Sequence, residues 1–126
     1  MAAQFTAGVQ HFGLPTNNMK ATLDFYKSLG FQIAYETVTD CQVCFLKLDN
    51  LMIETYENNK AVMKYGAIDH IALNATDIEA AYEFAKKGGY KILNDKIDSL
   101  PFWEKGCRFF TIEGPNLEKV EFCQIL

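Results

Sequence analysis

The sequence predicts an α+β protein made of two tandem βαβββ modules, and three observations predict it. Displaced by 59 residues against itself, the chain lays Val9 to Ile33 on Ile68 to Ile92 without a gap. Each matched segment opens as a strand followed by a helix and leads into three more strands. Each half also closes on a strand that carries a glutamate among apolar neighbours.

The match is chemical as well as positional. His11 falls on His70, Ala21 on Ala80, Phe25 on Phe84, Lys27 on Lys86 and Gly30 on Gly89, while Val9/Ile68, Leu14/Leu73, Met19/Ile78, Phe31/Tyr90 and Ile33/Ile92 keep apolar character. In the first half Gly8 to Leu14 reads as a strand. Asn17 or Asn18 then caps a helix with the apolar stripe Met19, Thr22, Leu23, Phe25, Tyr26 and Leu29, and Gly30 ends it. Strands follow at about 31–37, 41–48 and 51–57, the last two joined by the turn Asp49-Asn50. In the second half Thr76-Asp77-Ile78-Glu79 has the form of a capping box. Ile78, Ala81, Tyr82 and Ala85 share a face, and Gly88-Gly89 stops the helix. Strands follow at about 90–97, 106–113 and 118–125, with Gly114-Pro115-Asn116 as the last turn. These limits make 1–126 a single domain with module one at about 7–57, a polar linker at about 58–66 and module two at about 67–126. An apolar insertion, Leu100-Pro101-Phe102-Trp103, occurs in the second half only and is expected to serve as a lid or pocket wall, or as a loop covering core.

Composition narrows the function classes. At 126 residues with 49% hydrophobic and 22% charged residues, the chain is ordinary globular protein. A net charge of −4, one arginine and scattered lysines leave no basic stripe for nucleic acid. No apolar run approaches the roughly 20 residues that span a bilayer, and Met1-Ala2-Ala3-Gln4-Phe5 lacks the pattern of a secretion signal, so a cytoplasmic protein is expected. Cys41 and Cys44 have zinc-knuckle spacing, but on a strand residues three apart point to opposite faces. Those two, with Cys107 and Cys123, read as reduced thiols packed as small hydrophobes.

The chemistry is expected from the repeat. Both histidines of the chain, His11 and His70, occupy the same repeat position, and imidazole is the commonest metal ligand. Glu54, in Leu51-Met52-Ile53-Glu54-Thr55-Tyr56, and Glu121, in Lys119-Val120-Glu121-Phe122-Cys123, close the two halves. Alternation turns their apolar neighbours beneath the helices and the four polar side chains to the other face. A carboxylate there needs a metal, a partner or water. Two imidazoles and two carboxylates suit a divalent ion of intermediate hardness: nickel, cobalt, zinc, iron or manganese. Met52, Tyr56 and Cys123 share the glutamate faces, and Phe45, Lys47, Trp103 and Arg108 are further candidates for binding substrate, Arg108 through its planar fork.

With these residues in place, the strand openings Gln10-His11-Phe12-Gly13-Leu14 and Asp69-His70-Ile71-Ala72-Leu73 and the close Glu113 to Phe122 resemble vicinal oxygen chelate proteins over essentially the whole chain. The order His, Glu, His, Glu is similar to the metal-bound glyoxalase I pattern. The resemblance implies a half-open eight-stranded barrel around a central cup, with metal ligands His11, Glu54, His70 and Glu121. It further implies a lyase or isomerase that acts on an α-hydroxycarbonyl or hemithioacetal by proton transfer through a metal-bound enediolate. Glu121 would be the main base and Glu54 the reciprocal acid or base. A homodimer is implied too, with the site formed in one chain or across two. Residues matching those with which glyoxalase I grips glutathione are not evident. An epimerase, a thiol transferase, a dioxygenase or a non-catalytic binder of a small molecule or antibiotic stands as the alternative.

Overall fold

The computed structural model describes residue 4, residue 7, residues 9–66 and residues 68–126. Gly8 and Ala67, the expected starts of the first strand and the second module, lie outside the described residues, as does most of Met1 to Phe5. The chain divides into two compact units, Met1–Ala61 and Val62–Leu126. Among the described residues no helix is long and apolar enough to cross a membrane.

In the first unit, strand β1 (Phe12–Pro15) leads to helix α1 (Met19–Ser28) and then to β2 (Gln32–Val38), β3 (Gln42–Leu48) and β4 (Leu51–Tyr56). The sheet order is β1-β4-β3-β2, with β1 parallel to β4 and the other pairs antiparallel. Asn18 caps α1, its side chain accepting from Ala21 N at 3.0 Å. Gly30, at φ +103°, ends the helix as expected: its N–H and that of Phe31 return to Lys27 O and Tyr26 O, a Schellman closure that needs the left-handed residue. Met19, Thr22 and Tyr26 are the buried positions of α1, and Cys44, Leu46, Ile53 and Thr55 are the buried positions of β3 and β4. Burial in both strands therefore falls on alternate residues, which leaves Phe45, Lys47, Met52, Glu54 and Tyr56 on the other face.

The second unit repeats this plan with β5 (His70–Asn74), α2 (Ile78–Lys87), β6 (Lys91–Ile92), β7 (Asp98–Leu100), β8 (Cys107–Glu113) and β9 (Lys119–Ile125). The order is β5-β9-β8-β6, with β7 also paired to β8. Ile78, Ala85, Phe110, Ile112 and Val120 are buried, and Phe110 stacks on Phe122 at 4.9 Å and meets Tyr82 edge-on at 5.1 Å. The strand expected at about 90–97 is reduced to Lys91–Ile92, and β7 lies beyond its expected end. Asn94 breaks it: its side-chain oxygen takes the Thr111 N–H at 2.7 Å, displacing backbone from the ladder, and its amide nitrogen donates to Asp98 at 2.6 Å.

The capping box at Thr76 is also corrected. Asp77 is the N-cap, accepting from Ala80 N at 3.0 Å, and Glu79 turns outward to Arg108. The helix start is set at long range, because Ile78 N donates to Gln124 Oε1 at 2.8 Å, just as Met19 N donates to Glu57 Oε1 at 2.7 Å in the first unit. Glu57 and Gln124 each stand three residues after a glutamate of the predicted set. The carboxylate of each closing strand and the helix-start acceptor, within β9 in the second unit and just past β4 in the first, thus serve opposite faces.

Candidate metal centre

In the first unit the β1–β4 register pairs Gly13 with Glu54, which puts residues 11 and 13 on the glutamate's side of the sheet. His11 stands one residue before β1, not inside a strand as the sequence reading had it, and its Nε2 lies 3.7 Å from Glu54 Oε1. The other ring nitrogen, Nδ1, lies 3.0 Å from Gln10 Oε1, so it donates there. Phe45, which faces Glu54 across the β3–β4 ladder, meets the His11 ring edge-on at 5.7 Å. Tyr56 covers Gly13: a Cβ at that glycine would lie 3.3 Å from the tyrosine hydroxyl. Met52, Tyr56 and Phe45 therefore share the Glu54 face, as the alternation predicts.

The second unit builds the equivalent pair. Ala72 pairs with Glu121, and His70, the first residue of β5, holds Nε2 3.2 Å from Glu121 Oε2. Its Nδ1 donates to Asp69 Oδ2 at 2.9 Å, and Lys119 Nζ donates to the other Asp69 oxygen at 3.0 Å while lying 3.9 Å from the centre of the Tyr65 ring. The hydrogen bond from His70, with help from Lys119, holds the Asp69 carboxyl below the usual aspartate range. Glu121, at 15% side-chain exposure against 30% for Glu54, is the more enclosed carboxylate. Burial, reinforced by the Cys107 thiol and by Glu121, pushes the neighbouring Cys123 up to about 11, so it stays a neutral thiol. All four cysteines are free thiols.

These pairs fit a cation by the chemistry of their donors. With Nδ1 of each ring directed to a side-chain oxygen, Nε2 faces a carboxylate oxygen, an arrangement that is favourable with a proton or a metal ion between the two. A divalent ion with nitrogen and oxygen ligands meets that need. Among the described residues no group of three or more His, Cys, Asp or Glu side chains is gathered for an ion, and each unit sets one histidine Nε2 against one glutamate.

A cavity of about 550 Å³ opens on the Glu121 face of the second sheet, reached by His70, Thr111, Asn94 and Trp103. Trp103 thus lines the wall that the apolar insertion was expected to form. Arg108 does not. It alternates with Cys107 and Phe109, pairs across the ladder with Gln124, and donates to Glu79 at 2.6 Å on the α2 side, so its fork is engaged away from the glutamate face. Sequence reasoning missed Gln10 and Asp69 as the groups that orient the imidazoles. The signal was present, since the residue before each histidine carries a side-chain oxygen in both repeats. Lys119 and Asn94 had no such signal.

Comparison with known proteins agrees with this architecture. The sequence pattern of the Glyoxalase/Bleomycin resistance protein/Dioxygenase superfamily matches residues 8–99. YwbC of Bacillus subtilis (strain 168) is 30% identical over 127 residues, covering 92% of this chain and 96% of its own. A glyoxalase family protein from Enterococcus faecalis superposes with a TM-score of 0.78 at 20% identity, over 94% of this chain and 98% of that one. The fosfomycin resistance protein FosX from Listeria monocytogenes does so at 0.76 and 15% identity, over 97% and 96%. At these identities the two solved structures speak for the fold alone. The matched pattern covers well over half of the chain and the relative covers nearly all of it, and on those grounds the chain belongs to the Glyoxalase/Bleomycin resistance protein/Dioxygenase superfamily.

Proposed function

We propose that this protein is a divalent-metal-dependent lyase or isomerase of the glyoxalase I type, transferring a proton on an α-hydroxycarbonyl or hemithioacetal. It would hold nickel, cobalt, zinc, iron or manganese through His11, Glu54, His70 and Glu121, with the two half-sites supplied by one chain or by two chains of a cytoplasmic homodimer. The observation that carries the reading is the repeated pair: twice, a histidine tied at Nδ1 turns Nε2 toward a carboxylate, at 3.7 Å and 3.2 Å. When bound, such an ion supplies a Lewis acid that polarises a carbonyl and makes the adjacent C–H more acidic.

The chain's own residues do the rest. Glu121, the more enclosed carboxylate, takes the proton from carbon, and Glu54 acts as the reciprocal acid or base. Asp69 keeps the His70 ring turned so that Nε2 faces Glu121. Thr111 lies opposite Glu121 on β8 and Trp103 stands at the cavity wall, where the first borders the carboxylate and the second limits water.

Glu121→Gln removes the base and leaves an oxygen ligand of the same size. Metal-loaded variant and parent, assayed on α-hydroxycarbonyls with and without added thiols, should differ about 10²- to 10⁴-fold in kcat while retaining similar metal content. Unchanged turnover in the variant would remove Glu121 from the role.

A further inference from the structure

The cavity of the second unit, about 550 Å³, exceeds what a fragment of two or three carbons reacting at His70 and Glu121 would occupy and lies in the range of pockets that enclose larger ligands. Its remaining lining includes Leu93, Leu100, Phe102 and Trp103. These are not core residues: Phe102 is 55% and Trp103 70% exposed. Large apolar side chains gathered in water around a cavity mark a surface that binds something. Trp103 also sits at φ +67°, in the left-handed region that bulky residues rarely adopt, and its exposed ring gains no core packing to offset that conformation.

Charge in the cavity narrows the ligand further. Lys119 is the one Lys or Arg among the described lining residues, and it is held by Asp69 and laid over Tyr65. Arg108 is engaged by Glu79 on the other face of the sheet, and Lys91 by Glu113. Asp69 and Glu121 supply carboxylates to the same lining. A ligand bearing free carboxylates would meet like charge and no uncommitted ammonium or guanidinium, whereas a neutral planar group would meet the rings of Phe102, Trp103 and Phe109.

We infer that this cavity takes the aromatic substituent of a neutral α-hydroxycarbonyl, packed against Leu100, Phe102 and Trp103, in preference to an anionic thiol conjugate such as one built on glutathione. For the reacting group this rests on the function proposed above; for the aromatic subsite it does not. Trp103 is the only tryptophan of the chain, so its emission reports on the wall directly.

The test is titration of the protein, as purified and after chelation, with 2-hydroxyacetophenone, hydroxyacetone and glutathione, read by calorimetry and by Trp103 emission. The aromatic ketone should bind at least tenfold more tightly than hydroxyacetone and shift the emission, and Phe102→Ala should weaken it tenfold with the melting temperature unchanged. Trp103→Gly, which relieves the left-handed backbone, should weaken it likewise by calorimetry. Equal affinity for the two ketones, unaltered binding in both variants, or saturable glutathione binding that displaces the aromatic ketone would overturn the inference. Aromatic binding that survives chelation in a protein without metal-dependent turnover would sink the proposed activity and leave the subsite standing. Metal-dependent turnover with no aromatic preference would do the reverse.

Discussion

Thr55 is wholly buried on β4, one residue after Glu54, and its hydroxyl has no hydrogen-bond partner among the described residues. Burying an unmatched hydroxyl costs about 1 kcal/mol or more, and valine has nearly the same shape without the polar atom. Thr55→Val should therefore raise Tm by about 3 °C, measurable by calorimetric melting. A lower Tm would mean that the hydroxyl is satisfied. At this scale the sequence is legible where alternation decides orientation: Phe45, Met52, Glu54 and Tyr56 fall on one face because β3 and β4 are regular. Arg108 falls on the face opposite Glu121 because it pairs with Gln124, three residues on, across the β8–β9 ladder. His11 keeps the predicted side of the sheet although the strand begins one residue later.

Elements carry a second class of effects. Lys91 on β6 pairs with Glu113 on β8 in the ladder, with their charged groups 2.9 Å apart. The lysine's hydrogen bond, aided by the Tyr65 hydroxyl, holds the Glu113 carboxyl below the usual glutamate range, and the same bond raises Lys91. A lowered carboxyl contributes stability that is complete above the ordinary glutamate value, about 4.3, and is lost as pH falls through the lowered value. A raised lysine contributes below about 10.4 and loses it as pH rises through the raised value. Glu113→Gln should lower Tm at neutral pH by no more than about 3 °C and flatten the acid limb of the Tm–pH profile, so that parent and variant converge at low pH. A constant offset down to pH 2 would assign the loss to packing instead.

Helix extents were readable from Gly30 and Gly89, whose left-handed φ values only glycine adopts freely. The start of α2 was not, because Gln124, 46 residues away in sequence, fixes which residue is first. Nor was the break between β6 and β7, because a side chain that replaces a ladder hydrogen bond leaves no trace in hydrophobic period.

The whole molecule is a duplication whose copies diverge in what surrounds the same two groups. Offsets of 59 residues relate the histidines and the helix closures, and the closing strands keep Glu54 with Glu57 and Glu121 with Gln124 in one spacing. Around that frame the first unit backs its histidine with an amide, Gln10, and the second with a carboxylate, Asp69, itself held by Lys119. The two imidazoles are thus oriented by different groups, one neutral and one anionic. The measurement that bears most directly on the proposed centre is elemental analysis of purified parent, His11→Ala and His70→Ala after loading with a divalent transition metal. Two half-sites serving a common ion require about one ion per chain in the parent and its loss in both variants. No bound metal in the parent, two ions per chain, or full metal content in either variant would contradict it.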